Sequence, residues 1–405
     1  MTDEYHSARP SEGELQNRWE RLQALMGRDG LDGALFFQNA DLLYLCGTTQ
    51  AEAVFLPSRG KPLVLAHPPL DRVKSETDWA EVVLMPSWSG LQALLKASCL
   101  DELVRLGLEL DVLPVSFYDR LSRETLAGLR TVDVSSLMRQ VRSIKTDFEV
   151  SQMSAAAAMM DSVFQAVPDI LTEGLTELEL EGRLLGLART KGHQGLIRSR
   201  GFNMEMFIGH VLSGSSGLVP AKVSSPTGGT GVDPGFGQGA GPRAIGPGEL
   251  VSVDLCGTHG GYIIDQTRNY YTGSVPDTVQ RAYDRLLDLV EALKAVLRPG
   301  FRTGEVYDRA FQLAGRLEVL DGFMGLGSSR CPFVGHGVGL ELDEWPVLGR
   351  GTNTLLVAGM TFALEPRIFL PGVGVVGLED TYLLTPEGPR SLTITDRDLK
   401  TIVFR

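Results

Sequence analysis

Glu249-Leu-Val-Ser-Val-Asp254-Leu-Cys-Gly-Thr-His-Gly-Gly-Tyr262-Ile-Ile-Asp265-Gln-Thr-Arg268 is the stretch on which the reading of this chain turns. Apolar, β-branched residues on either side of a glycine-rich centre make it two strands folded back across a turn at Gly257 to Gly261. Such a hairpin brings Asp254 and Asp265 together. An acid inside an apolar run needs a partner, because losing water without compensation is costly. Three further polar residues sit in similar surroundings: His336 in Pro332-Phe-Val-Gly-His336-Gly-Val-Gly339, Glu365 in Leu364-Glu365-Pro366, and Glu379 in Gly377-Leu-Glu379-Asp380-Thr381.

Asp254, Asp265, His336, Glu365 and Glu379 together form an oxygen-rich cage suited to two divalent metal ions. Two such ions cancel the charge of four carboxylates, whereas without them several of the acids would have pKa values far above the usual range. Hard oxygen donors with one imidazole suit manganese, cobalt, zinc or iron. Metal coordination lowers the pKa of water from 15.7 toward roughly 7, so hydrolysis is the chemistry such a cage favours. The glycines flanking His336 suggest a close backbone approach to a ligand.

The order Asp, Asp, His, Glu, Glu, with a Gly-Gly-Tyr turn, a Gly-His-Gly-x-Gly segment, a Glu-Pro and a final Glu-Asp-Thr, closely resembles the pita-bread metallopeptidases. That family includes methionine aminopeptidase, aminopeptidase P, prolidase and creatinase. Leu31-Asp-Gly-Ala-Leu-Phe-Phe and Leu43-Tyr-Leu-Cys-Gly47 resemble the N-terminal domain of the prolidase and creatinase branch. Val141-Arg-Ser-Ile-Lys145-Thr-Asp-Phe-Glu149 is similar to the entry into its catalytic domain. The resemblance implies an α+β fold, with a smaller mixed α/β creatinase-type domain over residues 1–148 and a pita-bread metallohydrolase domain over 149–405. It also implies an Xaa-Pro-type aminopeptidase or dipeptidase acting on small peptides, and a homodimer. Asp254 would chelate one ion, Asp265 and Glu379 would bridge two, and His336 with Glu365 would complete the second site. Glu365 would also be the proton shuttle.

Three positions depart from the prolyl-peptidase pattern. Ala221 follows Pro220 where relatives carry His, Asp343 stands in the stretch where a second His is usual, and Gly377 replaces an Arg two residues before the last Glu. These changes open a second reading, a creatinase-like hydrolase or lyase of a small non-peptide substrate, and a third, a metal-free binding protein. His210 and His259 are candidates to replace a missing imidazole. Asp343, Glu344 and Trp345 are candidates for the substrate pocket, with a turn before Pro346 as the bland alternative. Arg198 and Arg200 could pair with a substrate carboxylate, and Arg268 reads as a structural brace.

A length of 405 residues calls for two domains. With a net charge of −12 and no long basic run, nucleic acid and anionic membranes are poor partners. No apolar stretch is long enough to span a bilayer, and Met1-Thr-Asp-Glu-Tyr is too acidic for a secretory signal, so a cytoplasmic location is expected. Cys46, Cys99, Cys256 and Cys331 lack paired or zinc-type spacing and read as reduced thiols.

In the first domain the pattern predicts a helix over Asn17 to Arg28, a strand over Gly33 to Gln38, a hairpin over Ala53 to Pro57 and Pro62 to Ala66, and a helix over Leu91 to Ala97. In the second it predicts helices at Glu149 to Val167, Thr176 to Lys191, Pro276 to Val296, and Thr303 to Gly315, the last capped by Thr303. The glycine-rich stretch 228–241 lacks the lysine and flanking elements of a phosphate loop and reads as a lid or dimer-contact loop that shapes the pocket.

Overall fold

The computed structural model describes residues 9–77, 79–99, 102–221 and 225–404; the acidic opening and Lys222 lie outside them. Its contacts divide the chain into two compact units, Met1–Arg142 with Arg200–Met204, and Ser143–Ser199 with Glu205–Arg405.

The first unit is built on a six-stranded sheet of β1 (Gly33–Phe36), β2 (Ala53–Pro57), β3 (Leu63–Ala66), β4 (Glu81–Leu84), β5 (Arg105–Leu108) and β6 (Arg130–Asp133), in the order β4-β3-β2-β1-β5-β6. The β1–β2 and β2–β3 pairs are antiparallel and the other pairs parallel. β1, β2 and β3 are buried along their whole length, so they read as continuous apolar runs rather than as alternation. The predicted hairpin over Ala53 to Ala66 is present. The helix Asn39–Cys46 was not expected from the pattern; Gln38 starts it by accepting from the Ala40 and Asp41 amides.

That helix carries Asp41, which is fully buried and ion-paired with Arg142 at 2.6 Å and Arg200 at 2.8 Å. Arg200 also grips Asp111 with two nitrogens, at 2.7 and 2.9 Å. Burial works against the Asp41 charge, yet Arg142 and Arg200 hold its pKa down to about 2. Beside it, burial and the Asp41 carboxylate push Glu109 well above the carboxylate range. Arg200 is therefore consumed by the acids of this unit, which rules out the expected role in gripping a substrate carboxylate. Its five donors suit a cluster of carboxylates better than a single mobile partner. Replacing Arg200 with Ala should destabilise this unit by about 3–5 kcal/mol, because buried acids lose their counter-charge; calorimetric unfolding would show the lowered transition, and an unchanged thermogram would refute the assignment.

The second unit contains β7 (Gly209–Ser213), β8 (Leu250–Leu255), β9 (Gly257–His259), β10 (Tyr262–Ile264), β11 (Thr267–Thr272), β12 (Phe333–Gly337), β13 (Glu344–Gly349), β14 (Thr361–Leu364), β15 (Arg367–Leu370), β16 (Gly374–Gly377), β17 (Asp380–Thr385), β18 (Gly388–Ser391) and β19 (Lys400–Ile402). They form a sheet β19-β11-β8-β7, a sheet β13-β12-β14-β17-β18, and the two-stranded pairs β9–β10 and β15–β16. Helix Asp147–Phe164 packs on the β9–β10 pair and helix Glu177–Thr190 on β7 of the first sheet, while Asp277–Leu293 and Thr303–Arg316 pack on each other and on strands of the second half. This is the duplicated α+β arrangement that the pattern of helix pairs and antiparallel strands implied.

Local chemistry explains the boundaries. Thr146 with Glu149, and Thr176 with Glu179, form reciprocal capping boxes that start the first two helices. The expected Thr303 cap is displaced by one residue. Thr303 is the first helical residue and its hydroxyl accepts from the Thr354 amide, so Glu305 closes on the Arg302 amide instead, at 2.6 Å. The core joins Leu286, Leu289, Val306 and Ala310 from the helices to Phe362, Ile368 and Val376 from the strands.

The hairpin of the opening segment is more broken than its sequence suggests. Its turn is Gly260-Gly261, with φ of 56° and 87° between the paired His259 and Tyr262, a conformation that strongly favours glycine. The strands are interrupted at Cys256 and at Asp265-Gln266, so four short strands replace the expected two. Both aspartates lie beside these interruptions, and the interruption at Asp265 frees its backbone for other partners.

Candidate metal centre and active site

Asp254 lies in β8 with His210 of β7 and Thr267 of β11 as its cross-strand neighbours. Asp265 sits in the break between β10 and β11. Thr381 replaces the missing ladder: the Asp265 amide donates to its hydroxyl at 2.8 Å, and the hydroxyl donates to the Asp265 carbonyl at 2.9 Å. Glu365 follows β14 and Glu379 precedes β17, each at a strand end where its side chain escapes the ladder. All five residues of the expected cage are buried in one place.

His336 is in β12, and its Nδ1 lies 3.0 Å from the Leu342 carbonyl and 3.1 Å from that of Gly337. A proton on Nδ1 satisfies these acceptors and leaves Nε2 as the coordinating nitrogen. Nε2 is 3.5 Å from Glu365 Oε1 and 3.9 Å from Asp265 Oδ2. The glycines flanking His336 serve the sheet: a Cβ at either Gly335 or Gly337 would lie 2.3 Å from a neighbouring strand's carbonyl oxygen. The sequence suggested close approach to a ligand, whereas the approach is to Ala363 and Trp345.

Asp265, His336 and Glu379 each offer a ligand atom within 4.8 Å of one another. Glu379 Oε2 accepts from Thr267 at 2.7 Å, while its buried Oε1 has no hydrogen-bond partner. A buried carboxylate oxygen without a donor is expensive in a protein interior, and a divalent cation satisfies it. The donor set therefore fits a metal. In the protein by itself the acids suppress one another's ionisation. Burial and Glu379 push Glu365 up to about 8, burial and Asp254 push Asp265 up to about 7, and Glu379 is raised well above the carboxylate range by burial and Asp265. Burial disfavours the His336 cation, but Asp343, Glu365 and Asp265 outweigh it and raise His336 to about 10.

Arg367 escaped the sequence reading. Its guanidinium is 1 % exposed, and Nη2 lies 2.8 Å from Asp254 Oδ2, 3.1 Å from Glu379 Oε2 and 3.5 Å from Glu365 Oε2. The signal was available, since an arginine opening the apolar run Arg367-Ile-Phe-Leu needs a buried anion as much as the acids need a cation. Arg268 is the brace that was expected: it ion-pairs with Asp380 at 2.7 Å and donates to the carbonyl of Glu379 at 2.7 Å, so it fixes the backbone of the last acid.

The five residues open onto a cavity whose other walls include Met206, Phe207, His210, Gln238, Phe333 and Asp343. His210 is buried, with Nε2 at 2.9 Å from Thr227 Oγ1 and 3.6 Å from Asp254 Oδ2, and its Nδ1 has no hydrogen-bond partner. Burial lowers its pKa, with the Asp254 carboxylate opposing and Arg367 reinforcing the shift. Asp343 also lines the cavity, 3.6 Å from His336 Nδ1. Trp345 does not line it. β13 pairs with β12 through register shifts on both sides of His336, and Glu344 is committed to a buried ion pair with Lys145 at 2.8 Å, so the strand is not a continuation of the pocket wall. His259 is hydrogen-bonded through Nδ1 to Gln152 at 2.9 Å and is also absent from the lining, as its alternative role in the fold required. The loop over 228–241 folds on itself through amide bonds from Gly231 to Gly239 and from Gly239 to Gly228, and contributes Gln238 to the cavity.

The profile of metallopeptidase family M24 matches residues 151–386, and that of the creatinase/prolidase N-terminal domain matches residues 18–144. The chain belongs to this metallopeptidase family. It is 25% identical over 388 residues to the Xaa-Pro dipeptidase of Pyrococcus horikoshii, covering 95% of this chain and 99% of the relative. It is 29% identical over 298 residues to the Xaa-Pro dipeptidase of Lactobacillus helveticus, covering 74% and 73% of the two chains. The solved structure of the Xaa-Pro dipeptidase from Bacillus anthracis, 23% identical, has the same fold with a TM-score of 0.79 over 96% of this chain and 100% of that one. As a metallopeptidase the protein is a metal-dependent hydrolase, and the expected pita-bread fold is the one it has.

Metal uptake should release protons. His336 at about 10 and Glu365 at about 8 both hold protons at neutral pH, and an ion takes their deprotonated forms. Affinity should therefore rise with pH through the neutral range. Titration calorimetry in buffers of different ionisation enthalpy would count the protons, and a proton-neutral uptake at pH 7 would contradict the coordination by His336 and Glu365.

Proposed function

We propose that the protein is a metal-dependent exopeptidase that removes the N-terminal residue from short peptides of the Xaa-Pro type. The observation that carries this reading is the convergence of Asp265, His336, Glu365 and Glu379 with His210 and Asp343 in one cavity of a metallopeptidase domain. The relatives named as Xaa-Pro dipeptidases point to the same substrate class. The metal class is that expected for hard oxygen donors with one imidazole, namely manganese, cobalt, zinc or iron. A homodimer in the cytoplasm is the remaining part of this reading; among the described residues no helix is long and apolar enough to cross a membrane.

Asp265, His336, Glu365 and Glu379 would hold a divalent ion, which would supply Lewis acidity and a lowered pKa for water. Glu365 would take the proton of the attacking water and pass it to the departing amine. Its carboxylate lines the cavity in which the water and the departing amine would meet. His210, kept neutral by burial, lines the cavity beside Asp254 and is the imidazole available to stand in for those missing at Ala221 and Asp343. The Asp343 carboxylate suits the ammonium group of a peptide N-terminus. Phe207 and Phe333 supply apolar walls for a proline ring.

A second reading, a hydrolase or lyase of a small non-peptide substrate, is favoured by the carboxylate at Asp343, since a cationic small molecule would pair with it equally well. Assay of Xaa-Pro dipeptides and tripeptides against small guanidino and betaine-type compounds separates the two: release of the N-terminal amino acid supports the peptidase, and turnover of the small compounds alone overturns it. Glu365→Gln should lower kcat by about 10²–10⁴ while the protein still binds metal. His210→Ala should lower kcat by about 10²–10³ with a smaller change in KM, as expected for a group that acts on the developing oxyanion; a variant that turns over like the parent would remove His210 from the mechanism.

A further inference from the structure

The four acids present their oxygens to two different places, and one of these places is already taken. Asp254 Oδ2, Glu379 Oε2 and Glu365 Oε2 all lie within 3.5 Å of Arg367 Nη2, and Thr267 Oγ1 is 3.1 Å from the same nitrogen. The oxygens turned the other way are Glu365 Oε1 and Asp265 Oδ2, at 3.5 and 3.9 Å from His336 Nε2. Glu379 Oε1, the oxygen without a hydrogen-bond partner, remains outside the guanidinium's contacts. Among the described residues the group with ligand spacing is Asp265, His336 and Glu379; Glu365 stands next to it through Oε1 at 3.5 Å from His336 Nε2, while the Asp254 Oδ2 oxygen is held by Arg367.

We propose that this enzyme holds one divalent ion per chain, at Asp265, His336, Glu365 and Glu379, and that the Arg367 guanidinium is a built-in cation replacing a second ion beside Asp254. This rests on the metallopeptidase reading above and sharpens it. An ion ligated by both Asp254 Oδ2 and Glu379 Oε2 would be forced against Nη2, because that nitrogen is already within 2.8 and 3.1 Å of the two oxygens. Two cations would then meet without an intervening ligand. The charges agree: four carboxylates, one guanidinium and one divalent ion leave a single negative charge, where a second divalent ion would leave the buried cluster positive.

The strand pair β15–β16 is built for this arrangement. Arg367 is directly opposite Gly377, and a Cβ at Gly377 would come within 3.0 Å of Arg367 Nη1, 3.2 Å of its Cγ and 3.4 Å of its Cδ. The absent side chain at one position gives the arginine at the other its path into the cluster. Gly377 is where the resemblance expects an arginine, so the guanidinium has crossed to the partner strand and points its charge at the acids.

Metal content decides the matter without reference to activity. Apo protein dialysed against manganese or cobalt and then freed of excess ion should contain one ion per chain by elemental analysis, and titration calorimetry should fit one tight site. Manganese-loaded protein should show the electron paramagnetic resonance of isolated ions. Arg367→Ala should raise the content to two ions and produce the spectrum of a coupled pair. The exchange Arg367→Gly with Gly377→Arg, checked for folding by circular dichroism, should do the same if the single variant proves unstable. Two ions per chain and a coupled spectrum in the unaltered protein would overturn the inference and leave the peptidase reading standing. A protein that takes up no ion at all would overturn that reading as well.

Discussion

The energetic problem around which this molecule is arranged is the burial of four carboxylates within a few ångströms of one another. Each would rather be in water, and each raises the cost of ionising the others. Nearby groups answer that cost. Arg367 faces three of the acids, Thr267 and Thr381 bond to Glu379 and to the Asp265 backbone, and Arg268 holds the main chain at Glu379. The remaining unpaired oxygen, Glu379 Oε1, is the opening that a metal closes. Stability and chemistry thus draw on the same charges, because a cluster that tolerates its acids without metal would have little use for one.

The fold supplies this cluster by interrupting its own strands. Asp265, Glu365 and Glu379 all stand just outside a strand, where the backbone is released from its ladder and the side chain can turn toward a common point. Asp254 and His336 stand within strands of the two separate sheets, and the Thr267 to Glu379 bridge is where those sheets come together. Each half of the duplicated unit therefore contributes part of the cage. Neither half has the full donor set, which makes the centre a property of the whole unit.

The cavity walls depart from the resemblance at a few positions. Positions where the resemblance implies imidazoles hold a methyl group at Ala221 and a carboxylate at Asp343, while an imidazole lines the cavity from β7 as His210. The arginine expected on one strand of the β15–β16 pair is found on the other, across from a glycine.

From the sequence alone the α+β organisation could be read, with five candidate cage residues that the structure brings to one cavity, because charged side chains inside apolar runs are legible without coordinates and the helix pairs announce themselves by period and by capping residues such as Thr146 and Thr176. It also identified His210 and Asp343 as candidates for the cavity wall. What remained hidden depended on pairing between distant segments. Arg367 meets Asp254 across 113 residues of chain, Arg200 is taken by Asp41 across 159, and Trp345 is carried past the cavity by bulges in the β12–β13 pairing. Local pattern reports which residues need a partner. Only the tertiary structure says which partner each one finds, because electrostatic and steric matching acts through space and leaves no periodic trace along the chain.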